Sequence, residues 1–206
     1  MERAGVSVIA LFILSLAAAA GQAAPEKILI VGDSLSAAYG LSQKEGWPAL
    51  LAQRLAAEKR PYVVVNASIS GETSHGGRRR IDALLARHRP AVVIIELGAN
   101  DGLRGLPLSA LADNLAHMIE RSQAAGARVL LVGMLLPPNY GPRYTQAFQR
   151  IYRDLAARYG TALTPFLLDG LGTGFTWFQR DGLHPTAAAQ PMLLDNVWRE
   201  LKGLLN

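Results

Sequence analysis

The 206-residue chain contains no cysteine, which excludes disulfides, a thiol nucleophile, thiolate zinc ligands and lipid attachment at an amino-terminal cysteine. Twenty-one Lys and Arg against 16 Asp and Glu leave a net charge of +5. The basic residues are dispersed and lack interleaved aromatics, so they describe a generally basic surface and argue against a nucleic-acid groove.

Met1–Ala24 reads as a secretory signal peptide. Arg3 precedes an apolar run from Val6 to about Ala20, short for a mature membrane span, and Gly21-Gln22-Ala23 is a small-x-small cleavage pattern. The other reading, an uncleaved anchor, is disfavoured by the Ala24-Pro25 turn. Residues 25–206 then make one domain large enough for a substantial core, placed in the periplasm or secreted.

From Ile28 to Ser36 the chain runs Ile-Leu-Ile-Val-Gly-Asp-Ser-Leu-Ser. Unbroken apolar residues meeting a glycine describe a parallel strand buried on both faces. Ser34 arrives at its carboxyl end, where open parallel sheets form their ligand crevice, although a serine there could equally cap the next helix. Next come a helix carrying Trp47, Leu50, Leu51, Arg54 and Leu55, a strand from Tyr62 to Asn66, and a helix whose apolar side is Ile81 to Ala86. A central strand spans Ala91 to Leu97. Leu111, Leu115, Met118 and Ile119 recur at helical spacing, closed by Gly126 as a left-handed cap. Val129 to Met134 is the fourth strand, Tyr144 to Tyr159 a helix ending at Gly160, and Ala162 to Phe166 a short fifth strand. The last helix begins near Ala189, since Pro191 is tolerated only in a first turn. Strands alternating with helices predict a three-layer α/β/α sandwich on a five-stranded parallel sheet, order 2-1-3-4-5.

In that order the second and third strands flank the first. The second leads into Asn66 to Thr73, where Gly71 has no Cβ to keep its N–H from a bound oxygen; it is also an ordinary turn residue. The third leads to Asn100, an amide donor or a helix cap. Near the end lies Asp181-Gly182-Leu183-His184-Pro185. Three residues apart on a tight turn, Asp181 could accept the imidazole Nδ1–H and leave Nε2 facing Ser34. Together these residues predict a hydrolytic set with Ser34, His184 and Asp181 as triad, and with the Ser34 and Gly71 N–H groups and the Asn100 amide as oxyanion donors. No G-x-S-x-G surrounds Ser34, so this is not an α/β-hydrolase elbow.

Gly32-Asp33-Ser34-Leu35, Gly71, Gly98-x-Asn100-Asp101 and Asp181-x-x-His184 resemble the four blocks of the SGNH, or GDSL, hydrolases. Asn66 to Thr73, Leu97 to Gly105 and Leu136 to Phe148 are similar to the secreted bacterial arylesterase, thioesterase and lysophospholipase branch. The resemblance implies a flavodoxin-like fold, hydrolysis of acyl esters or thioesters without metal or organic cofactor, and a supporting role for Asp33 in the nucleophile loop. Ala99 departs from it, standing where many relatives have glycine, and a methyl there could narrow the pocket near Asn100.

Other residues invite alternatives. His75 reads as a loop residue, His88 as a solvated cationic cap and His117 as exposed, which leaves no histidine cluster for a metal. Arg78-Arg79-Arg80 follow Gly76-Gly77 where a helix should start, either as a solvated basic turn or as a dock for an anionic head group. The loop from Leu135 to Tyr144 and the aromatics Phe175, Trp177 and Phe178 should rim the crevice or cover the core, and Gly102 to Gly105 could be a mobile lip. The function expected is a monomeric serine esterase or thioesterase acting on small-molecule acyl esters, including lysophospholipids, in transient contact with membrane lipid. A carbohydrate or peptidoglycan O-acetylesterase and a non-catalytic binding module are the alternatives.

Overall fold

The computed structural model describes Met1 and residues 24–205; residues 2–23, nearly all of the expected leader, lie outside the described residues. Five parallel strands form one sheet: β1 (Glu26–Gly32), β2 (Tyr62–Asn66), β3 (Val92–Glu96), β4 (Arg128–Val132) and β5 (Ala162–Thr164). Their order is β2-β1-β3-β4-β5, the flavodoxin-like order expected. Ile28 to Val31 and Val92 to Ile95 are wholly buried, because helices cover both faces of these central strands and water reaches neither side.

Helices α1 (Trp47–Ala57) and α6 (Gln190–Leu201) pack together on one face, and α2 (Ser74–His88), α4 (Leu108–Ala124) and α5 (Pro142–Tyr159) on the other. A short helix, α3 (Ala99–Leu103), leaves the carboxyl end of β3. The connections reverse direction beside β1, so the crevice lies where β1 and β3 end. Register places Gly32 opposite Glu96, and the loops after both strands therefore emerge level. Among the described residues, the hydrophobic core cluster runs from Ile28 to Leu205.

Several boundaries differ from expectation for identifiable reasons. β5 ends at Thr164 because Pro165 has no N–H to continue the ladder, and β4 ends beside it at Val132. α2 begins at Ser74, before the glycine pair. Gly77 is buried inside it, where a Cβ would come within 2.4 Å of Leu97 Cδ1 and 2.9 Å of Met118 Sδ; this glycine brings the helix close to its neighbours instead of breaking it. His75 is accordingly an exposed helical residue, not a loop residue. His88 is half-buried, and desolvation, followed by the Arg87 and Lys27 charges, lowers its pKa, so the expected cationic cap is neutral near pH 7. His117 is half-buried. Gly126 and Gly160 close α4 and α5 at φ of 82° and 62°, the left-handed ends expected.

Candidate active site

Ser34 leaves β1 on a turn held from below by two carboxyl groups. Asp33 Oδ1 accepts the Leu35 N–H at 3.0 Å, and Oδ2 accepts from Asn100 Nδ2 at 3.1 Å. Beneath them Glu96 Oε2 accepts the Ser36 hydroxyl at 2.7 Å and the Asp33 N–H at 3.3 Å. Both acids are buried. Burial pushes the Asp33 carboxyl up to about 6, against the lowering effects of the Leu35 N–H, the His184 charge and the Asn100 amide. Burial, reinforced by Asp33 beside it, pushes Glu96 well above the usual carboxylate range. Glu96 Oε1 has no partner among the described residues.

From the opposite side comes the turn after β5. Asp181 Oδ1 accepts the N–H groups of Leu183 and His184 at 2.9 and 3.0 Å, while Oδ2 lies 2.7 Å from His184 Nδ1. The hydrogen bonds from the His184 N–H, the His184 ring and the Leu183 N–H, in that order, hold the Asp181 carboxyl down at about 2 although it is exposed. His184 Nε2 lies 2.9 Å from Ser34 Oγ. Serine, imidazole and carboxylate thus stand in series, with the anionic carboxylate favouring the tautomer whose Nδ1 carries the proton. Gln179 ties this turn to the loop that follows Ser34: its Nε2 donates to Tyr39 O at 2.8 Å and Pro185 O at 3.0 Å. The Tyr39 ring lies 4.4 Å from the His184 ring, centroid to centroid.

The expected oxyanion donors converge on the same crevice. The N–H groups of Ser34 and Gly71 donate no hydrogen bond to any described residue, which leaves two backbone donors open to a ligand. Gly71 has φ of 78°, a backbone that L side chains rarely adopt. Arg104 Nη2 donates to Gly71 O at 3.0 Å and fixes that peptide. Asn100, on α3, donates both amide hydrogens within the chain, to Asp33 Oδ2 and, at 3.0 Å, to Glu72 O. To reach a bound oxygen it must share or exchange one of these bonds. Gly98, with φ of 120°, sets α3 in place; a Cβ there would lie 2.2 Å from the hydroxyl of Tyr152, which donates to Leu97 O at 3.0 Å.

α3 and α2 are joined by a buried polar cluster. Ser74 donates to the Asp101 carboxylate through its N–H at 2.8 Å and its hydroxyl at 2.5 Å, and receives the Asn114 amide at 2.9 Å. Arg78 Nη1 donates to Asn114 Oδ1 at 3.3 Å, and Arg80 is paired with Glu72. The arginine run lies within α2, one turn after its start, and none of it lines the pocket. Gly102, expected in a mobile lip, is buried in α3 against Leu136 and Phe148.

A pocket of about 580 Å³ opens over Ser34, Gly71, Asn100 and His184, with apolar walls that include Leu103, Leu135, Leu136, Phe166, Leu168 and Phe178. Ala99 forms part of its wall, whereas Phe175 and Trp177 do not. Among the described residues no group of three His, Asp or Glu is placed to hold a metal ion. Glu96, Arg104 and Gln179 were missed from the sequence. An acid ending the apolar strand Val-Val-Ile-Ile-Glu was the available signal for the first; the other two act across chain separations that no local pattern reveals.

A Ser–His–Asp series with unused backbone donors, set at the carboxyl edge of an open parallel sheet, defines a hydrolase site of the serine type. The comparisons agree with that class. The chain belongs to the GDSL-like Lipase/Acylhydrolase family, whose profile matches residues 30–190. It is 56% identical over 192 residues to Esterase TesA of Pseudomonas aeruginosa, covering 93% of this chain and 96% of the relative. It is 43% identical over 184 residues to the Escherichia coli K12 protein named thioesterase 1/protease 1/lysophospholipase L1, covering 89% and 87%. A crystal structure of TesA matches with a TM-score of 0.85 and 57% identity, over 87% of this chain and 100% of that one. The chain is an ester hydrolase of this family.

Proposed function

We propose that Ser34 is the nucleophile, His184 the general base and acid, and Asp181 the group that orients His184, in a serine esterase and thioesterase acting on aryl esters, acyl thioesters and lysophospholipids. The observation that carries this reading is the series Asp181–His184–Ser34, at 2.7 and 2.9 Å, opening on an apolar pocket. Ser34 Oγ attacks the acyl carbonyl as its proton passes to His184 Nε2, and Asp181 stabilises the imidazolium. The oxyanion accepts the Ser34 and Gly71 N–H groups, joined by the Asn100 amide; Asp33 supports the loop beneath. Collapse expels the alcohol or thiol, which takes the proton from His184. Water, deprotonated by His184, then releases the acid from Ser34.

The apolar walls favour an acyl chain over the shallow polar site a carbohydrate O-acetylesterase needs. Turnover of p-nitrophenyl esters of graded acyl length by the parent and by Ser34→Ala tests the reading. Activity abolished by the substitution and rising with chain length supports it. Equal activity of the two proteins removes Ser34 from the mechanism, and a strict acetyl preference turns the assignment to the O-acetylesterase.

For the whole chain we propose removal of Met1–Ala24 as a signal peptide, and action of residues 25–206 as a monomeric single domain in the periplasm or beyond. The apolar run behind Arg3 and the small residues before Ala24 support this. Mass spectrometry of the protein recovered from a periplasmic fraction reads the amino terminus directly; an intact Met1 overturns the cleavage.

A further inference from the structure

Among residues 24–205, seven large apolar side chains stand exposed, and one of them, Val63, lies on the edge strand β2. The other six, Tyr39, Ile69, Leu106, Leu135, Phe175 and Leu183, all lie on connections that leave the carboxyl ends of the strands. Each of the five strands contributes at least one. A single exposed apolar residue is unremarkable on a protein surface, but six gathered on one edge around a cavity mark an interaction face. Binding of substrate in the pocket accounts for Tyr39, Leu135 and Leu183, which line it. It does not account for Ile69, Leu106 or Phe175, the last 77% exposed.

The same edge also carries cations without a carboxylate partner. Arg104, Arg143 and Arg180 are exposed there, and none forms an ion pair with a carboxylate of the described residues. The acids nearby are buried, as Asp33 and Asp101 are, or engaged: Glu72 with Arg80, Asp169 with Arg199, Asp181 with His184, and Glu45 with the Ser42 N–H. Guanidinium groups interleaved with apolar side chains are what an anionic lipid surface selects, the apolar groups entering the acyl boundary and the cations meeting the head groups.

We propose that this edge docks on an anionic lipid bilayer with the pocket mouth facing the membrane, so that a single-chain lipid passes into the pocket without crossing water. The inference rests on the acyl-ester reading of that pocket and adds its source of substrate. It also explains why these side chains are exposed on every loop around the mouth, while among residues 24–205 the one other exposed large apolar side chain is Val63 on the edge strand β2.

The test uses the mature chain, residues 25–206, in co-sedimentation with vesicles of phosphatidylcholine, alone or with one third phosphatidylglycerol. Binding to the anionic vesicles, weak binding to the neutral ones and weakening by salt are expected. Phe175→Ser with Leu106→Ser should reduce the partition coefficient at least about tenfold, and Arg180→Gln about fivefold. Neither should change turnover of a soluble p-nitrophenyl butyrate, and Val63→Ser should bind as the parent does. No binding by the parent, or equal binding by parent and variants, overturns the proposal. So does light scattering that shows a dimer lost in Phe175→Ser with Leu106→Ser, which assigns the edge to a second copy. Failure of the esterase reading is seen separately, as absence of turnover on the soluble ester.

Discussion

The two sides of the candidate site hold their carboxyl groups by opposite means. On the sheet side Asp33 and Glu96 are buried, and desolvation drives both pKa values up. On the loop side Asp181 is exposed, and three donors within a tight turn drive its pKa down to about 2. The difference teaches where charge is wanted. Beside His184 an anion must persist while the imidazole gains a proton, so donors gather around the carboxylate. Below Ser34 the Glu96 carboxyl keeps its proton and braces the turn without leaving an uncompensated charge in the core, while Asp33, at about 6, is held by the Leu35 N–H and the Asn100 amide.

Removing the anion on the loop side should have the largest effect. Asp181→Asn is expected to lower kcat about 10⁴-fold, because the amide favours the wrong tautomer of His184. Steady-state turnover of p-nitrophenyl butyrate at pH 7 measures it. A loss below about tenfold would break the contrast, since it would mean that Asp33, whose charge also acts on His184, can replace Asp181. Asn100→Ala should follow, with kcat down about 10²- to 10³-fold as expected for one oxyanion donor. It should also cost stability, about 1–3 kcal/mol for acceptors left unpaired, because the amide bridges Asp33 and the Glu72 carbonyl. Unchanged kcat with a lowered Tm would make Asn100 a brace for the loops and leave the oxyanion to the two backbone N–H groups.

Acid should then separate the two sides. The depressed pKa of Asp181 contributes stability above the ordinary aspartate range, and that contribution is lost only as pH falls toward 2. The raised pKa of Asp33 has the opposite sign. Its contribution is fully present below about 4 and is lost as pH rises through about 6. Calorimetric Tm for the parent and Asp181→Asn should therefore differ at pH 5 and converge near pH 2. A difference that is constant across this window would show that Asp181 is not held anionic by its turn.

Much of this arrangement was legible in the sequence because it is locally coded. Uninterrupted apolar runs marked β1 and β3, and Gly32-Asp33-Ser34 and Asp181-x-x-His184 stand where strands give way to turns. What escaped notice depends on partners far along the chain. The start of α2 was obscured by Gly76-Gly77, yet Ser74 is secured by Asp101, 27 residues away. α3 is too short to show a period, so Asn100 was placed at a strand end and its bonds to Asp33 and Glu72 could not be anticipated. Arg104 reaches Gly71 across 33 residues and Gln179 reaches Tyr39 across 140; no local pattern distinguishes these two from other polar residues of the loops.

Glu96 offers the smallest and most discriminating change. Its pKa is raised while that of the unfolded chain is not, so its stabilising contribution is complete below about pH 4 and is lost progressively as pH rises, the unfolded state releasing a proton that the native state retains. Glu96→Gln keeps an acceptor for the Ser36 hydroxyl and the Asp33 N–H while removing that release. It should leave kcat within a few-fold, match the parent in Tm at pH 4, and exceed it at pH 8 by about 3 °C for each kcal/mol recovered. Glu96→Ala, by contrast, orphans Ser36 and opens a cavity, at a cost of about 2–4 kcal/mol. If Gln destabilises as much as Ala at pH 8, then Glu96 is ionised in the folded protein, and the sheet side holds its carboxylates as the loop side does, by donors instead of by burial.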